Sequence, residues 1–327
     1  MSERSAHTDT GAAGPYGSPY HVPVLWKAVV EGLVTDPAGC YVDATIGGGG
    51  HAAALLDALA PEGRVIGIDR DPEALDAVRR RLGDAVEAGR LQLVPGNFAD
   101  LEAILDRLGV AQIDGLLLDL GVSSHQLDEA LRGFSFQAEG PLDMRMDPTS
   151  PGPTAAQLLE RWSEYELAEV LRRYGEEPRA RKLARAICRA RPIRTTAELA
   201  EVVRREVPPK EATKTLARVF QALRIAVNDE LQALERALEA ATRRVRPGGR
   251  LAVLSYHSLE DRRVKRFLRY GNLKGEPVRD FYGRLIAPWR PLTGRAIRPS
   301  DDEVAANPRA RSARLRIAER VAETENA

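Results

Sequence analysis

Four short aliphatic runs, Tyr41 to Thr45, Arg64 to Asp69, Leu91 to Val94 and Gly115 to Leu120, each end within two residues of a Gly or Asp and alternate with helical stretches. The stretches between them, Ala52 to Ala60, Pro72 to Leu82 and Asp100 to Leu108, carry helical spacing. Few architectures accept such a pattern. An apolar strand followed at once by a helix able to cover it is the repeating unit of an α/β sheet, and four such units are complete by Leu120.

The pattern then changes. From about Pro151 to Ala212 the strand-like runs stop, and Leu, Ala, Arg and Glu recur at helical spacing, as over Ala155 to Tyr174 and Arg179 to Ala190. A long amphipathic helix is predicted over Leu216 to Arg244. Arg246-Pro247-Gly248-Gly249 then leads into a strand over Leu251 to Tyr256, with two further strand candidates at Arg284 to Ala287 and Ala313 to Ala318. The expected organisation is one α/β domain, residues 20–148 and 213–327, interrupted by an all-helical insertion, 149–212, and preceded by a disordered tail, 1–19. The tail is assigned on its Gly, Ala, Ser and Thr content, which offers little apolar area to offset the entropy of ordering it.

With 43% hydrophobic and 29% charged residues among 327, the chain can bury a substantial core, which excludes wholesale disorder. Cys40 and Cys188 are too few for a disulfide framework and form no closely spaced metal set with the five histidines. A reducing, cytoplasmic setting without a bound metal is expected. No apolar run approaches the roughly eighteen residues of a membrane span, and the first residues lack a secretory pattern. Neither a membrane nor secretion is expected.

The end of the first strand run carries Asp43, Thr45, Gly47, Gly48, Gly49, Gly50 and His51, followed at once by a helix. Glycines there permit a tight turn and a close approach of ligand to backbone. The second run ends in an acid, Asp69, nineteen residues after Gly50. A carboxylate so placed can accept from both ribose hydroxyls of an adenosine. Asp71, before Pro72 and Glu73, suits the role of helix cap better than Asp69 does. Phe98, in Gly96-Asn97-Phe98 after the third run, is placed to lie against an adenine ring or to fill the core. Two cofactor classes fit this geometry: nicotinamide or flavin dinucleotides, and S-adenosylmethionine. The dinucleotide spacing falls on Gly47, Gly49 and Ala52, but the helix, Pro-Gly-Gly and strand passage at Pro247 to Leu254 favours a class I methyltransferase sheet.

Several stretches together resemble the MraW methyltransferase family, and the resemblance covers nearly the whole chain after the tail. They are His21 to Leu25, Asp43 to His51, Gly67 to Pro72, Asp114 to Asp128, Arg132 to Phe136 and Gly140 to Asp147, then Phe220 to Ile225, Ser255 to Lys265 and Asn307 to Arg320. The resemblance implies transfer of a methyl group from S-adenosylmethionine to the exocyclic N4 of one decoding-region cytidine of 16S ribosomal RNA. It assigns cofactor contacts to Gly49, Gly50, His51, Asp69, Phe98, Asp119 and Gln126. The chain departs from the family pattern at Lys214 and Thr215, and at Pro178, which follows Tyr174-Gly175-Glu176-Glu177.

The acceptor is expected at the carboxyl end of the fourth run, Leu118 to Ser124, where open α/β sheets bind ligands. Asp119 is the candidate to contact cofactor, to accept from the amine, or both; Ser123 and Ser124 either contact the acceptor or cap the helix that follows. Asp143, Arg145 and Asp147 either shape the base pocket or form an internal salt-bridge hinge, and His257 with Glu260 is read as structural.

The net charge is +1, so affinity for RNA must come from local clusters. Arg172 to Arg194 holds nine basic residues against two acidic, and Arg243 to Lys274 ten against two. Trp162, Tyr165, Tyr174, Tyr270, Tyr282 and Trp289 lie near these clusters as stacking platforms or as core. The expected partner is 16S rRNA within the small subunit, with no DNA. Two other functions remain open on sequence alone: a nucleotide-dependent oxidoreductase, and a non-catalytic ribosome-assembly factor that keeps the cofactor fold.

Overall fold

A computed structural model describes residues 15–17 and 23–322. Its centre is a seven-stranded sheet in the order β3-β2-β1-β4-β5-β7-β6. Strands β1 (Cys40–Asp43), β2 (Arg64–Asp69), β3 (Leu91–Pro95), β4 (Ile113–Asp119) and β5 (Val245–Ser255) run parallel. β7 (Arg314–Arg320) lies antiparallel to β5, and β6 (Trp289–Pro291) antiparallel to β7.

The strands read as unbroken apolar runs because both faces are covered. Val42, Ile66, Leu116, Leu118, Leu251 and Val253 pack on one side against α5 (Leu101–Arg107), α12 (Glu230–Arg244) and α13 (Ser258–Tyr270). Their alternating neighbours Tyr41, Val65, Leu117, Ala252 and Leu254 pack on the other against α1 (Trp26–Leu33), α2 (Gly50–Ala58) and α3 (Pro72–Arg81). α4 (Gly83–Glu87), α6 (Ser124–Asp128) and α14 (Asp301–Ala306) are short connectors.

The helical region between β4 and β5 comprises α7 (Ala155–Arg161), α8 (Glu164–Gly175), α9 (Ala180–Arg189), α10 (Thr196–Glu206) and α11 (Pro209–Asn228). Thr154, Ser163 and Thr195 each start a helix with a capping box, the hydroxyl accepting from the N3 backbone while the N3 Gln or Glu reaches back. Pro178 stands in the turn between α8 and α9 and breaks neither. The core of this region reaches beyond residues 149–212, drawing in Phe134, Leu142, Met144 and Met146 before it and Leu216, Val219, Phe220 and Leu223 after it.

Several expectations are corrected. The helix expected over Ala155 to Tyr174 is two, because the cap at Ser163 ends the first and begins the second. The helix expected over Leu216 to Arg244 is also two, because Asp229 takes a left-handed conformation, φ 52°, between α11 and α12. Arg284 to Ala287 is not a strand of the sheet; the edge strand is Trp289–Pro291. Arg246 to Gly249 belong to an irregular early part of β5, where Val245 pairs with Ile113 and Arg250 with Gly115. Of the tail expected over residues 1–19, only Pro15 to Gly17 are among the described residues, and Tyr16 is docked rather than disordered. Its hydroxyl donates to Asp57 at 2.9 Å, and its ring meets Trp26 edge-on at 4.8 Å. Among the described residues, no helix is long and apolar enough to cross a membrane.

Candidate active site

The parallel strands end together, and above their carboxyl ends opens a cavity of about 300 Å³. Gly47 and Gly49, at φ 49° and 76°, turn the chain from β1 into α2. Gly50 must be small because a Cβ there would lie 2.9 Å from Pro23. Gly50, His51, Asp69, Phe98, Asp119, Ser123, Ser124 and Gln126 all line the cavity, so one site gathers the residues expected for cofactor and acceptor. Gly49 is the exception: the space beside its Cα faces Val78 of α3 and Leu82 just after it, and it serves the turn rather than the cavity wall.

Asp69 closes β2 with both carboxylate oxygens engaged by backbone, Oδ2 accepting from Gly47 N–H and Oδ1 from Asp71 N–H, each at 2.9 Å. Burial pushes its carboxyl up to about 6 against the opposing pull of those two donors. Each oxygen keeps a lone pair for a further donor, so the residue fits a ribose diol. Asp71 is the cap of α3, its Oδ1 accepting from Glu73 N–H at 3.1 Å. Its Oδ2 accepts from Gln126 Nε2 at 2.8 Å and from Arg132 Nη1 at 2.9 Å, a buried knot that ties α3 to the loop after α6. Asp43, beneath the glycine turn, is fully buried with Oδ2 unpartnered, and burial pushes its carboxyl up to about 8.

Asp119, at the end of β4, is held through both its backbone and its carboxylate. Its backbone N–H donates to Thr45 Oγ1 at 2.6 Å, its Oδ1 accepts from the Tyr256 hydroxyl at 2.9 Å, and its Oδ2 lies 3.6 Å from His51 Nδ1. His51 Nε2 is 3.0 Å from the Val24 carbonyl. Burial and the neighbouring Asp119 carboxylate hold the Tyr256 hydroxyl well above the usual phenol range, so it stays a donor. Ser123 caps α6, its Oγ accepting from Gln126 N–H at 3.1 Å while Gln126 Oε1 accepts from Ser123 N–H at 3.1 Å. The Ser124 hydroxyl has no such duty among the described residues.

Sequence reasoning passed over Thr45, Arg224, Tyr256, Asn307, Arg309 and Ser312 as site residues, although all line the cavity. Tyr256 was legible in principle, since it follows the strand parallel to β4. Arg309 was not: it reaches the site from far along the chain and pairs with Asp128. Arg224 is clamped by both oxygens of Glu230, at 2.8 and 2.9 Å.

Asp143 and Arg145 form a bidentate pair at 2.7 and 2.8 Å, and Arg145 also donates to the Ser150 carbonyl at 2.6 Å; this is the internal hinge of the two readings. His257 Nε2 stands 3.1 Å from Glu260 Oε1, while Glu260 Oε2 accepts from Tyr256 N–H at 2.9 Å. Glu230, His257 and Glu260 bring ligand-type atoms within 4.8 Å of one another, but Arg224 already balances Glu230 and the histidine faces Glu260.

Much of the local positive charge is compensated from elsewhere in the chain. Arg179, Lys182 and Arg185 pair with Glu211, Glu206 and Glu164. Arg243, Arg244, Arg246 and Arg250 pair with Glu102, Asp106, Asp114 and Glu319, and Arg262 and Arg263 with Glu176 and Glu235. Trp289 is core, its indole N–H donating to Thr242 Oγ1 at 2.8 Å, and Trp162 and Tyr174 pack on the helical core. Tyr165 and Tyr282 are exposed.

A five-stranded parallel sheet with an antiparallel β7 inserted before β6, an acid at the end of β2 and a glycine turn after β1 define a class I methyltransferase that uses S-adenosylmethionine. The chain belongs to the MraW methylase family, whose model matches residues 18–321. It is 50% identical over 311 residues to ribosomal RNA small subunit methyltransferase H of Geobacter sulfurreducens, covering 92% of this chain and 99% of that one. It is 49% identical over 308 residues to the protein of the same name from Symbiobacterium thermophilum, covering 91% and 95%. Among solved structures it aligns with TrmN from Thermus thermophilus at TM-score 0.41 and 12% identity, over 91% of this chain and 48% of that one. Aeropyrum pernix fibrillarin with bound S-adenosyl-L-methionine aligns at TM-score 0.37 and 12% identity, over 90% and 73%.

Proposed function

We propose that the protein methylates the exocyclic N4 of one decoding-region cytidine of 16S ribosomal RNA, presented within the small subunit. The names of its relatives support ribosomal RNA as the substrate. The observation that carries the chemistry is Asp119, whose backbone N–H is held by Thr45 and whose carboxylate is held at the cavity by Tyr256. S-adenosylmethionine, when bound, supplies an electrophilic methyl group on a sulfonium.

The amino group of cytosine is a weak nucleophile because its lone pair is delocalised into the ring. An acceptor aimed at its N–H bonds favours the pyramidal nitrogen that attacks and stabilises the positive charge it gains. The Asp119 carboxylate is suited to that role, with Oδ1 accepting from the Tyr256 hydroxyl and Oδ2 beside His51. The N–C bond forms as the S–C bond breaks, and the acidic ammonium product then releases its proton to water. Gly50, Asp69, Phe98 and Gln126 are assigned to the cofactor, His51 to the wall shared with Asp119, Ser124 to the acceptor and Ser123 to the cap that holds it. The helical region over residues 149–212, with its flanking core, is assigned to gripping the RNA around the target. An unstacked or single-stranded cytidine satisfies the depth of the cavity.

The test uses labelled S-adenosylmethionine and small subunits from cells lacking this chain, with nucleosides identified by mass spectrometry. N4-methylcytidine at one decoding-region position is expected. Cofactor binding without label in RNA overturns the proposal in favour of an assembly role.

A further inference from the structure

α13 begins at Ser258 beside the cavity and runs back toward the amino ends of the parallel strands, about 20 Å away for its thirteen residues. There Gly271 touches Pro288, since a Cβ on Gly271 would lie 2.2 Å from the proline ring, so residues 272–287 form a loop with closed ends. Asn272 fastens its base: Oδ1 accepts from Gly275 and Glu276 N–H at 2.7 and 3.1 Å, and Nδ2 donates to the Tyr270 and Glu276 carbonyls at 3.1 and 2.7 Å. The tip is a tight hairpin, with Ile286 N–H donating to the Val278 carbonyl at 2.8 Å and Asp280 N–H to the Arg284 carbonyl at 2.9 Å. Phe281 and Tyr282 stand on that turn, 98% and 81% exposed, with their rings edge to face at 5.6 Å.

The cations around this tip differ from the arginines that precede them in the chain. Lys265, Arg266, Arg269, Lys274, Arg279 and Arg284 are exposed and, among the described residues, have no carboxylate partner, in contrast to the paired arginines from Arg243 to Arg263. Arg266 packs along Gly275, joining helix and loop into one surface, and Arg269 and Arg284 lie over the rings of Tyr270 and Tyr282. Uncompensated cations favour a polyanion, and rigidly displayed rings favour flat apolar faces; single-stranded RNA offers both.

We propose that the outer face of α13 and the loop 272–287 form a second RNA-binding surface, where phosphates meet the six cations and an unpaired base stacks on Phe281 or Tyr282. The inference rests on the ribosomal RNA reading above. It makes recognition two-ended, with the target nucleotide at the carboxyl ends of the strands and a distant RNA segment held toward their amino ends.

The test measures binding to small subunits across a range of salt concentrations, for the unaltered protein, a Phe281→Ala/Tyr282→Ala variant and a Lys265→Gln/Arg266→Gln/Lys274→Gln variant. All five side chains are exposed, so both variants fold and keep their affinity for S-adenosylmethionine. The aromatic variant is expected to bind about fivefold or more weakly for the loss of one stacked base. The lysine and arginine variant is expected to lower the slope of log affinity against log salt by about two to three. Unchanged affinity and slope overturn the proposal. So does a variant that binds RNA normally but loses self-association by light scattering, which assigns the tip to a second copy of the chain. If the unaltered protein neither binds nor methylates subunits, the ribosomal RNA reading itself fails; if it does both and the variants match it, only the second surface fails.

Discussion

Asp119 shows how much of a site can rest on the partners of one carboxylate. Removing the Tyr256 hydroxyl leaves Oδ1 without its donor and lets the carboxylate turn within the cavity. Tyr256→Phe is expected to lower kcat about tenfold or more, the scale of one hydrogen bond to a charged group, while calorimetry finds cofactor affinity within about twofold. Asp69 sets a pH dependence. Ribose hydroxyls donate to its ionised form, and its carboxyl in the folded chain stands at about 6. Cofactor affinity is therefore expected to fall as pH drops below that value, by up to about tenfold per unit, and calorimetry from pH 5 to 8 on the protein and on Asp69→Asn checks it. Asp43 acts on stability instead. Its folded value, about 8, lies above the unfolded 3.8, so the folded chain binds that proton more tightly. The resulting stability is fully present below the unfolded value and is lost as pH rises through about 8. Urea unfolding at pH 6 and 9 should therefore show a smaller loss in Asp43→Asn than in the parent.

At the scale of elements, the breaks between helices carry the design. Asp229 ends α11 and opens α12 in a left-handed conformation, and the reversal brings Asn228 against the loop before α7. Asn228 accepts from Met146 N–H at 2.8 Å and donates to the Met144 carbonyl at 2.7 Å. Asp229→Val places a β-branched residue where the backbone disfavours it, and denaturant unfolding is expected to show a loss of about 1–2 kcal/mol. Sequence periodicity could not locate this break, because the apolar spacing runs through Asp229 without a Gly or Pro. The four early strands and their helices were legible, since burial on both faces leaves a plain apolar run bounded by turn residues. Asp69, Asp119 and the glycine turn were legible because strand ends predict where an α/β sheet binds. Arg309 was not, since it reaches the cavity from far along the chain, and Tyr256, legible by its place after a strand, shows its bond to Asp119 only once β4 and β5 are neighbours. Ion pairing was not legible in local charge for the same reason: Arg243 and Arg246 meet Glu102 and Asp114 only through the fold.

At the scale of the whole molecule, the helical region and the sheet share side chains rather than meeting at a seam. Phe134, Leu142, Met144 and Met146 belong by sequence to the first segment of the α/β domain, yet they pack in the same core as α8 to α11. Deleting residues 149–212 therefore strips the cover from these side chains and from Leu216, Val219, Phe220 and Leu223. Such a protein is expected to bind a hydrophobic dye and to lose its sharp thermal transition, rather than remain a folded methyltransferase with weakened RNA affinity.

The place of β7 sets an order in time. The strand that follows all others in the sequence lies between β5 and β6, so during synthesis both wait for a partner not yet made. Asn307, Arg309 and Ser312, which complete the cavity wall, come just before it in the chain. A nascent chain can thus lay down its glycine turn and Asp69 early, while the cavity wall stays incomplete until this later stretch has been made. Competence to modify RNA therefore waits on the stretch that carries Asn307, Arg309, Ser312 and β7.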